Sequence, residues 1–114
     1  MPESLGPEDL KLVTLARTSR SRGSAHEGAA VRDTTGRTYT ATSVALASLH
    51  LSALQAAVAA AVSSGAEGLE AAAVVTDDDE PDVDGMAAVR DLGGLGTPVF
   101  IADRAGEVHG TARA

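Results

Sequence analysis

The chain has 114 residues, which suits one compact domain spanning residues 1–114, with a core over about 8–108. It contains no cysteine, which excludes a disulfide framework, a thiolate nucleophile and a thiolate metal site. The net charge of −7 disfavours binding to a nucleic-acid backbone. No apolar run approaches the ~20 residues that span a bilayer, and the N-terminus lacks a signal-peptide pattern. We therefore expect a cytoplasmic protein that binds neither nucleic acid nor membrane.

The first third of the sequence predicts a helix followed by a β-hairpin. Pro7 and the two acids after it are typical of a helix start, and the small, polar residues 18–24 predict a loop. Two short extended runs, 27–33 and 37–42, flank a turn that contains Gly36. Such runs around a glycine-containing turn predict paired antiparallel strands.

The middle of the sequence is rich in alanine and leucine. Residues 44–64 lead to Gly65, and glycine commonly follows the C-terminus of a helix. Apolar residues surround nearly the whole helical circumference from Leu49 onward, which is typical of a helix buried on most sides. The pattern predicts one central helix over 44–64 that a second copy of the chain shares.

Two short apolar runs in the second half, 69–76 and 97–102, predict buried strands. Between them, residues 85–92 predict a short helix that ends at two glycines, and the tail 107–114 has signals too weak for an assignment. The order helix, hairpin, helix, strand, helix, strand predicts an α/β fold with three α/β/α layers and a mixed β-sheet.

Several short segments follow one another in a distinctive order. They are Gly28-Ala29-Ala30-Val31, Gly36-Arg37-Thr38-Tyr39-Thr40, Ala61-Val62-Ser63-Ser64-Gly65, Ala72-Ala73-Val74-Val75, Pro81, Arg90-Asp91-Leu92 and Thr97-Pro98-Val99-Phe100-Ile101. With this order and spacing, the chain resembles the cytidine deaminase family from about Leu10 to Val108. The resemblance implies the family's three-layer fold and its assembly into dimers or tetramers. It also implies a zinc ion that converts a bound water into the hydroxide for hydrolytic deamination.

The positions that would carry this chemistry hold other residues. The family's Cys-Ala-Glu motif at the start of the central helix corresponds to Ser52-Ala53-Leu54. The two cysteines of its Pro-Cys-x-x-Cys motif correspond to Asp82 and Gly85. A hydroxyl is a poor zinc ligand, leucine cannot move protons, and glycine has no side-chain ligand. We therefore expect neither a catalytic residue nor a bound metal at Ser52, Leu54, Asp82 and Gly85.

The family's Asn-x-Glu motif, which the resemblance implies holds the ribose, corresponds to Ser43-Val44-Ala45. Because zinc ligands, proton shuttle and ribose contacts are all replaced, the sequence predicts a catalytically inactive member without a cofactor and with an interaction or regulatory role. Two alternatives stay open: a zinc-dependent nucleoside deaminase or related hydrolase with an altered site, and a small-molecule-binding sensor. We further expect a homo-oligomer, a dimer or a tetramer, and a protein partner that the sequence does not name.

Residues 77–84 form the most acidic segment. Glu80, Asp82 and Asp84 have the opening spacing of a calcium loop, with Gly85 and Asp91 at matching places. The preceding buried strand is wrong for such a loop, so we interpret the segment as a solvated loop in which Asp84 caps the next helix. Partner docking by this loop is the alternative.

The remaining candidates are ordinary charged or titratable residues. They are the histidines His26, His50 and His109 and the arginines Arg17, Arg20 and Arg22. No histidine pair has the i, i+4 spacing of a helical metal site, so we interpret the histidines as surface or pocket-lining residues. The arginines are expected to offset the chain's own acids.

Overall fold

A computed structural model describes residues 5–22 and 25–114 of the chain. The elements in chain order are α1 (Pro7–Ser21), β1 (Gly28–Asp33), β2 (Thr38–Thr42), β3 (Val44–Leu46), β4 (Leu49–Leu51), α2 (Ala53–Ser63), β5 (Leu69–Val75), α3 (Val83–Gly93), β6 (Pro98–Ala102) and β7 (Val108–Arg113).

Five strands form the central sheet in the order β2-β1-β5-β6-β7. β5 and β6 run parallel, and the other neighbouring strands pair antiparallel. β3 and β4 form a separate two-stranded hairpin. The predicted α/β fold with a mixed sheet is confirmed.

The sheet is covered on both faces. Alternate residues of β5 enter two separate cores: Ala72 and Val74 pack with α2 and α3, whereas Ala73 and Val75 pack with α1. A strand covered on both faces is apolar at nearly every position, and β5 departs from this only at the exposed Glu70 near its start. This explains the apolar run that predicted the strand. No helix in the described part of the chain is long and apolar enough to cross a membrane.

The prediction of one helix over 44–64 is wrong in its first part. Residues 44–51 form the β3–β4 hairpin, and α2 begins only at Ala53. Ser52 has an extended backbone (φ −71°, ψ 162°) and forms a capping box with Gln55. A capping box marks the first turn of a helix, so the helix cannot continue towards residue 44.

Three further boundaries differ from the prediction. The loop predicted over 18–24 is wrong over 18–21, because α1 continues to Ser21 and buries Ser19. Residues 23–24 of that predicted loop lie outside the described residues. The tail assigned no element contains β7, which pairs with β6. Asp82, not Asp84, caps α3.

Candidate functional site

The starts of α2 and α3 meet at a cleft of about 530 Å³. Its walls come from the segment before β1, the β3–β4 hairpin, the first residues of both helices and the segment after β5. The lining residues are His26, Glu27, Ser43, Val44, Ala45, His50, Leu51, Ser52, Gln55, Thr76, Asp77, Asp78, Asp82 and Asp84.

The structure brings most of the sequence-predicted positions together. Ser43 and Ala45 line the cleft, and so do Ser52 and Asp82. Leu54 and Gly85 are instead buried beside each other behind the wall. Four of the six residues that the resemblance aligns with the family's site are therefore neighbours at one cleft.

Ser52 serves the start of α2. Its Oγ accepts a hydrogen bond from the Gln55 backbone N–H at 3.1 Å, and the Gln55 side-chain oxygen accepts one from the Ser52 N–H at 2.9 Å. Both partners are in the first turn of α2, where backbone N–H groups otherwise lack acceptors. Ser52 therefore acts as a helix cap.

Asp82 has the same role at α3. Its Oδ2 accepts a hydrogen bond from the Gly85 N–H at 2.7 Å. Its other carboxylate oxygen, Oδ1, is buried and has no hydrogen-bond partner among the described residues. One half of this carboxylate is thus committed to the helix, and the other half keeps unused acceptor capacity.

Gly85 is needed for the close packing of α3 on α2. A Cβ placed on Gly85 would lie 2.6 Å from Asp82 Oδ1 and 2.8 Å from the Leu54 Cβ. Leu54 itself is 0% exposed and belongs to the core between the helices and the sheet. A side chain at position 85 would collide with its neighbours, and the side chain at position 54 does not reach the cleft.

The zinc ion that the fold family implies does not fit these residues. The three positions that the resemblance aligns with the zinc ligands hold a hydroxyl and a carboxylate that both cap helices, and a glycine. Tetrahedral catalytic zinc needs three protein ligands of the Cys, His or carboxylate type. Across residues 5–22 and 25–114, no group of three or more His, Asp or Glu side chains is arranged to hold a metal ion.

The histidines are divided between two places. His26 and His50 line the cleft, and His50 lies on β4 rather than at the start of a helix. His109 is exposed on β7. The three imidazoles therefore do not form one site.

The cleft is acidic. Its lining includes Glu27, Asp78 and Asp84, and contains no lysine or arginine among the described residues. Asp77 is compensated from outside the lining by Arg104, whose Nη2 and Nε donate to its carboxylate at 2.7 and 3.0 Å. These hydrogen bonds, and the positive charge of Arg104, lower the pKa of Asp77 despite partial desolvation.

The acidic segment does not form the loop of a calcium site. Asp84 and Asp91 lie on α3, and Asp82 is its cap. A calcium loop of this type wraps its twelve residues around the ion, which a helix over its second half prevents. Part of the neighbouring basic patch is neutralised as expected, because Arg20 Nη2 lies 3.7 Å from Asp77 Oδ2.

Sequence reasoning missed two of the polar groups in the cleft, Gln55 and Thr76. The Ser-x-x-Gln spacing of Ser52 and Gln55 is itself a capping-box signature and could have located the start of α2. Thr76 directly follows β5, and threonine is common after a strand. No sequence pattern therefore marked Thr76 as a cleft residue.

A second cavity, of about 490 Å³, lies at the other end of β1, around Asp33. Asp33 is 3% exposed, and its Oδ1 accepts hydrogen bonds from the Thr35 hydroxyl, the Thr35 N–H and the Arg37 N–H at 2.7, 2.9 and 3.0 Å. Its Oδ2 accepts one from the Tyr39 hydroxyl at 2.9 Å. The Thr35 hydroxyl first, and then Tyr39 and the two backbone groups, lower the pKa of Asp33 to about 2 although burial opposes them.

Comparison with known proteins agrees with this architecture. Residues 5–106 match the family described as Cytidine deaminase-like, and the chain belongs to that family. No curated protein sequence gives a significant match.

Several solved structures share the fold. The cytidine deaminase from Burkholderia pseudomallei superposes with a TM-score of 0.78 at 22% identity, covering 90% of each chain. That from Mycobacterium leprae gives 0.73 at 21% identity, covering 96% of this chain and 94% of the other. That from Mycobacterium tuberculosis gives 0.68 at 25% identity, covering 78% and 80%.

Proposed function

We propose that this chain is a cytidine deaminase-like protein that does not deaminate and acts through binding, in an interaction or regulatory role. The observation that carries the proposal is Leu54. It occupies the position of the family's proton-shuttling glutamate, and it is 0% exposed in the core rather than in the cleft. A deaminase must move protons at its substrate, and a buried leucine provides no group that can do so.

The other replaced positions support the same proposal. Ser52 and Asp82 direct their side-chain oxygens to backbone N–H groups of their own helices. Gly85 provides close packing instead of a ligand. Each position therefore has a structural role that does not require the metal, so loss of the metal leaves the fold intact.

A second candidate function, binding of a small molecule, is favoured by the cleft itself. Its volume of about 530 Å³ falls within the range of pockets that hold small ligands. Apolar side chains from the hairpin and several polar groups face the same space. A protein that keeps this cleft without the catalytic groups could sense a ligand without changing it.

Self-association and a cytoplasmic location belong to the same proposal. Light scattering on the purified chain is expected to give a mass at least twice 11.4 kDa. Fractionation of the native host tests the compartment. Both measurements are independent of any assay of the cleft.

The activity test is deamination of cytidine with added zinc, with an active cytidine deaminase as the positive control. We expect ammonia release no faster than in a blank without protein. Turnover above the blank that copurifies with the folded chain would overturn the proposal and support the nucleoside deaminase with an altered site.

The binding test compares two tryptophan variants of one hairpin. Ala45→Trp would fill the cleft, because Ala45 lines it, whereas Ala47→Trp places the same bulk on the exposed hairpin turn. Nucleosides and small amines are screened by ligand-observed NMR on the wild-type chain. A ligand of the cleft should lose its signal change with Ala45→Trp and keep it with Ala47→Trp. Equal loss in both variants would contradict binding in the cleft.

A further inference from the structure

We infer that the free edge of β2 is a self-pairing edge, on which β2 of a second copy adds antiparallel and makes one continuous sheet. The inference rests on the self-association proposed above, and it names the surface. It does not depend on the activity of the cleft.

The hydrogen-bonding direction along β2 follows from its pairing with β1. Asp33 N–H donates to the Arg37 carbonyl at 2.8 Å, and Ser43 N–H donates to the Glu27 carbonyl at 3.2 Å. These two bonds continue the register of β1 and β2, so the hydrogen-bonded pairs between the strands are every second pair. In an antiparallel ladder the residues between such pairs turn their backbone groups outward.

On β2 these outward residues are Thr38, Thr40 and Thr42. Within the described part of the chain, no hydrogen bond reaches their backbone N–H or C=O groups on the outer side. An edge of this kind is a template for another strand unless something guards it.

Natural edge strands are guarded by charged residues, proline or bulges. β2 has none of these, because its sequence is Thr-Tyr-Thr-Ala-Thr and its register against β1 is regular. β7, the strand at the other edge, contains Gly110 and Arg113, and its pairing with β6 is interrupted by a register shift. Only one of the two edges of this sheet is therefore open to pairing.

Charge explains why the partner is a second copy. Each copy has a net charge of −7, so most faces of two copies repel each other. Residues 38–66 contain no Asp, Glu, Lys or Arg, and β2 begins this uncharged segment. Two copies can thus meet along β2 without bringing like charges together.

Symmetry fits the strand as well. A two-fold axis through Thr40 places Thr40 opposite its counterpart and Thr38 opposite Thr42 of the second copy. All three outward residues of each strand are then paired, and each pair exchanges two backbone hydrogen bonds. The threonine side chains of both strands also share one face, where Thr–Thr pairs are favourable.

The matched control is on the opposite edge. Ala114 N–H donates to the Thr97 carbonyl at 3.0 Å, so by the same alternation Thr111 turns its backbone groups outward on β7. Thr40→Lys and Thr111→Lys are compared by light scattering. Thr40→Lys should weaken the dimer by about tenfold or more, because two lysines would meet at the axis, and Thr111→Lys should leave the mass unchanged.

A second experiment uses the absence of cysteine from the chain. Thr40→Cys gives each copy one thiol, and opposite residues of this kind have Cα atoms about 5.5 Å apart, so a short bifunctional thiol cross-linker can join them. With such a cross-linker it should form a covalent dimer about tenfold faster than Thr111→Cys, whose rate reports random collisions. This measurement does not require Thr40→Lys to fold.

The outcomes separate the two proposals. A dimer that persists in Thr40→Lys, with Thr40→Cys no faster than Thr111→Cys, would overturn pairing through β2 and leave self-association standing. A wild-type chain that is monomeric at micromolar concentration would overturn both. Deamination by the wild type would overturn the proposed function and leave the pairing result unaffected.

Discussion

The two ends of β1 offer cavities of similar size, about 530 Å³ at the cleft and about 490 Å³ at Asp33. They differ in how their carboxylates are used. Both oxygens of Asp33 accept hydrogen bonds from its own hairpin. At the cleft, Asp82 uses only Oδ2, and its buried Oδ1 has no partner among the described residues.

The difference teaches that cavity volume alone does not identify a site. A buried polar atom without a partner is costly, so folded proteins nearly always satisfy such atoms. At Asp33, both carboxylate oxygens already accept hydrogen bonds from the turn and strand that follow β1. We propose ligand binding at the cleft because polar and apolar side chains from several segments line its open space.

The largest effect is expected from Leu54→Glu, which restores the family's acidic residue. The carboxylate would be buried without a partner, and the variant should lose about 3–5 kcal/mol of unfolding free energy. Urea unfolding at neutral pH measures this. Leu49→Glu is the control, because Leu49 is 47% exposed and should change stability little. If Leu54→Glu were as stable as the control, position 54 would reach solvent and the cleft wall would be open.

Gly85→Ala tests the close packing of α2 and α3 behind the cleft. The added Cβ would lie 2.8 Å from the Leu54 Cβ, which cannot move without shifting the helix. Overpacking of this kind should cost about 1–3 kcal/mol. Gly110→Ala is the control, since the nearest atom to its Cβ is at an ordinary 3.8 Å. Equal thermal stability of the two variants would contradict the close contact of α2 and α3.

Two substitutions of Asp82 separate the contribution of its capping hydrogen bond from that of its negative charge. Asp82→Ala should cost about 1 kcal/mol, the usual effect of losing an N-cap, whereas Asp82→Asn keeps a capping oxygen and should cost little. Chemical denaturation of both variants, with Asp79→Ala as an exposed control, separates the cap from the charge. A cost for Asp82→Asn as large as that for Asp82→Ala would show that the negative charge itself stabilises the cleft.

Asp33→Asn tests the cavity at the other end of β1, and its effect on stability depends on pH. The folded pKa of Asp33, about 2, lies below its ordinary value of 3.8, so the ionised carboxylate stabilises the folded chain. This stabilisation is complete above about pH 4 and is lost as the pH falls towards about 2. The stability gap between wild type and variant should therefore be constant near neutrality and shrink in acid. A gap that does not change between pH 5 and pH 2, measured by thermal unfolding, would contradict the hydrogen-bonded role of Asp33.

The strands β5 and β6 were predictable from the sequence alone, because a strand covered on both faces is apolar at nearly every position, and polar or glycine residues mark its ends. The resemblance likewise implied that Ser43, Ser52 and Asp82 lie near one another, and all three line the cleft. Tertiary structure decided the rest. Residues 44–51 are apolar enough for a helix or a hairpin. The Ser52–Gln55 spacing marks the start of α2, but the pairing of β3 with β4 is what selects the hairpin before it. β7 has few apolar residues and forms because β6 provides backbone partners that are distant in the sequence. That Leu54 is buried while Asp82 lines the cleft depends on how α2 and α3 pack, which no local pattern specifies.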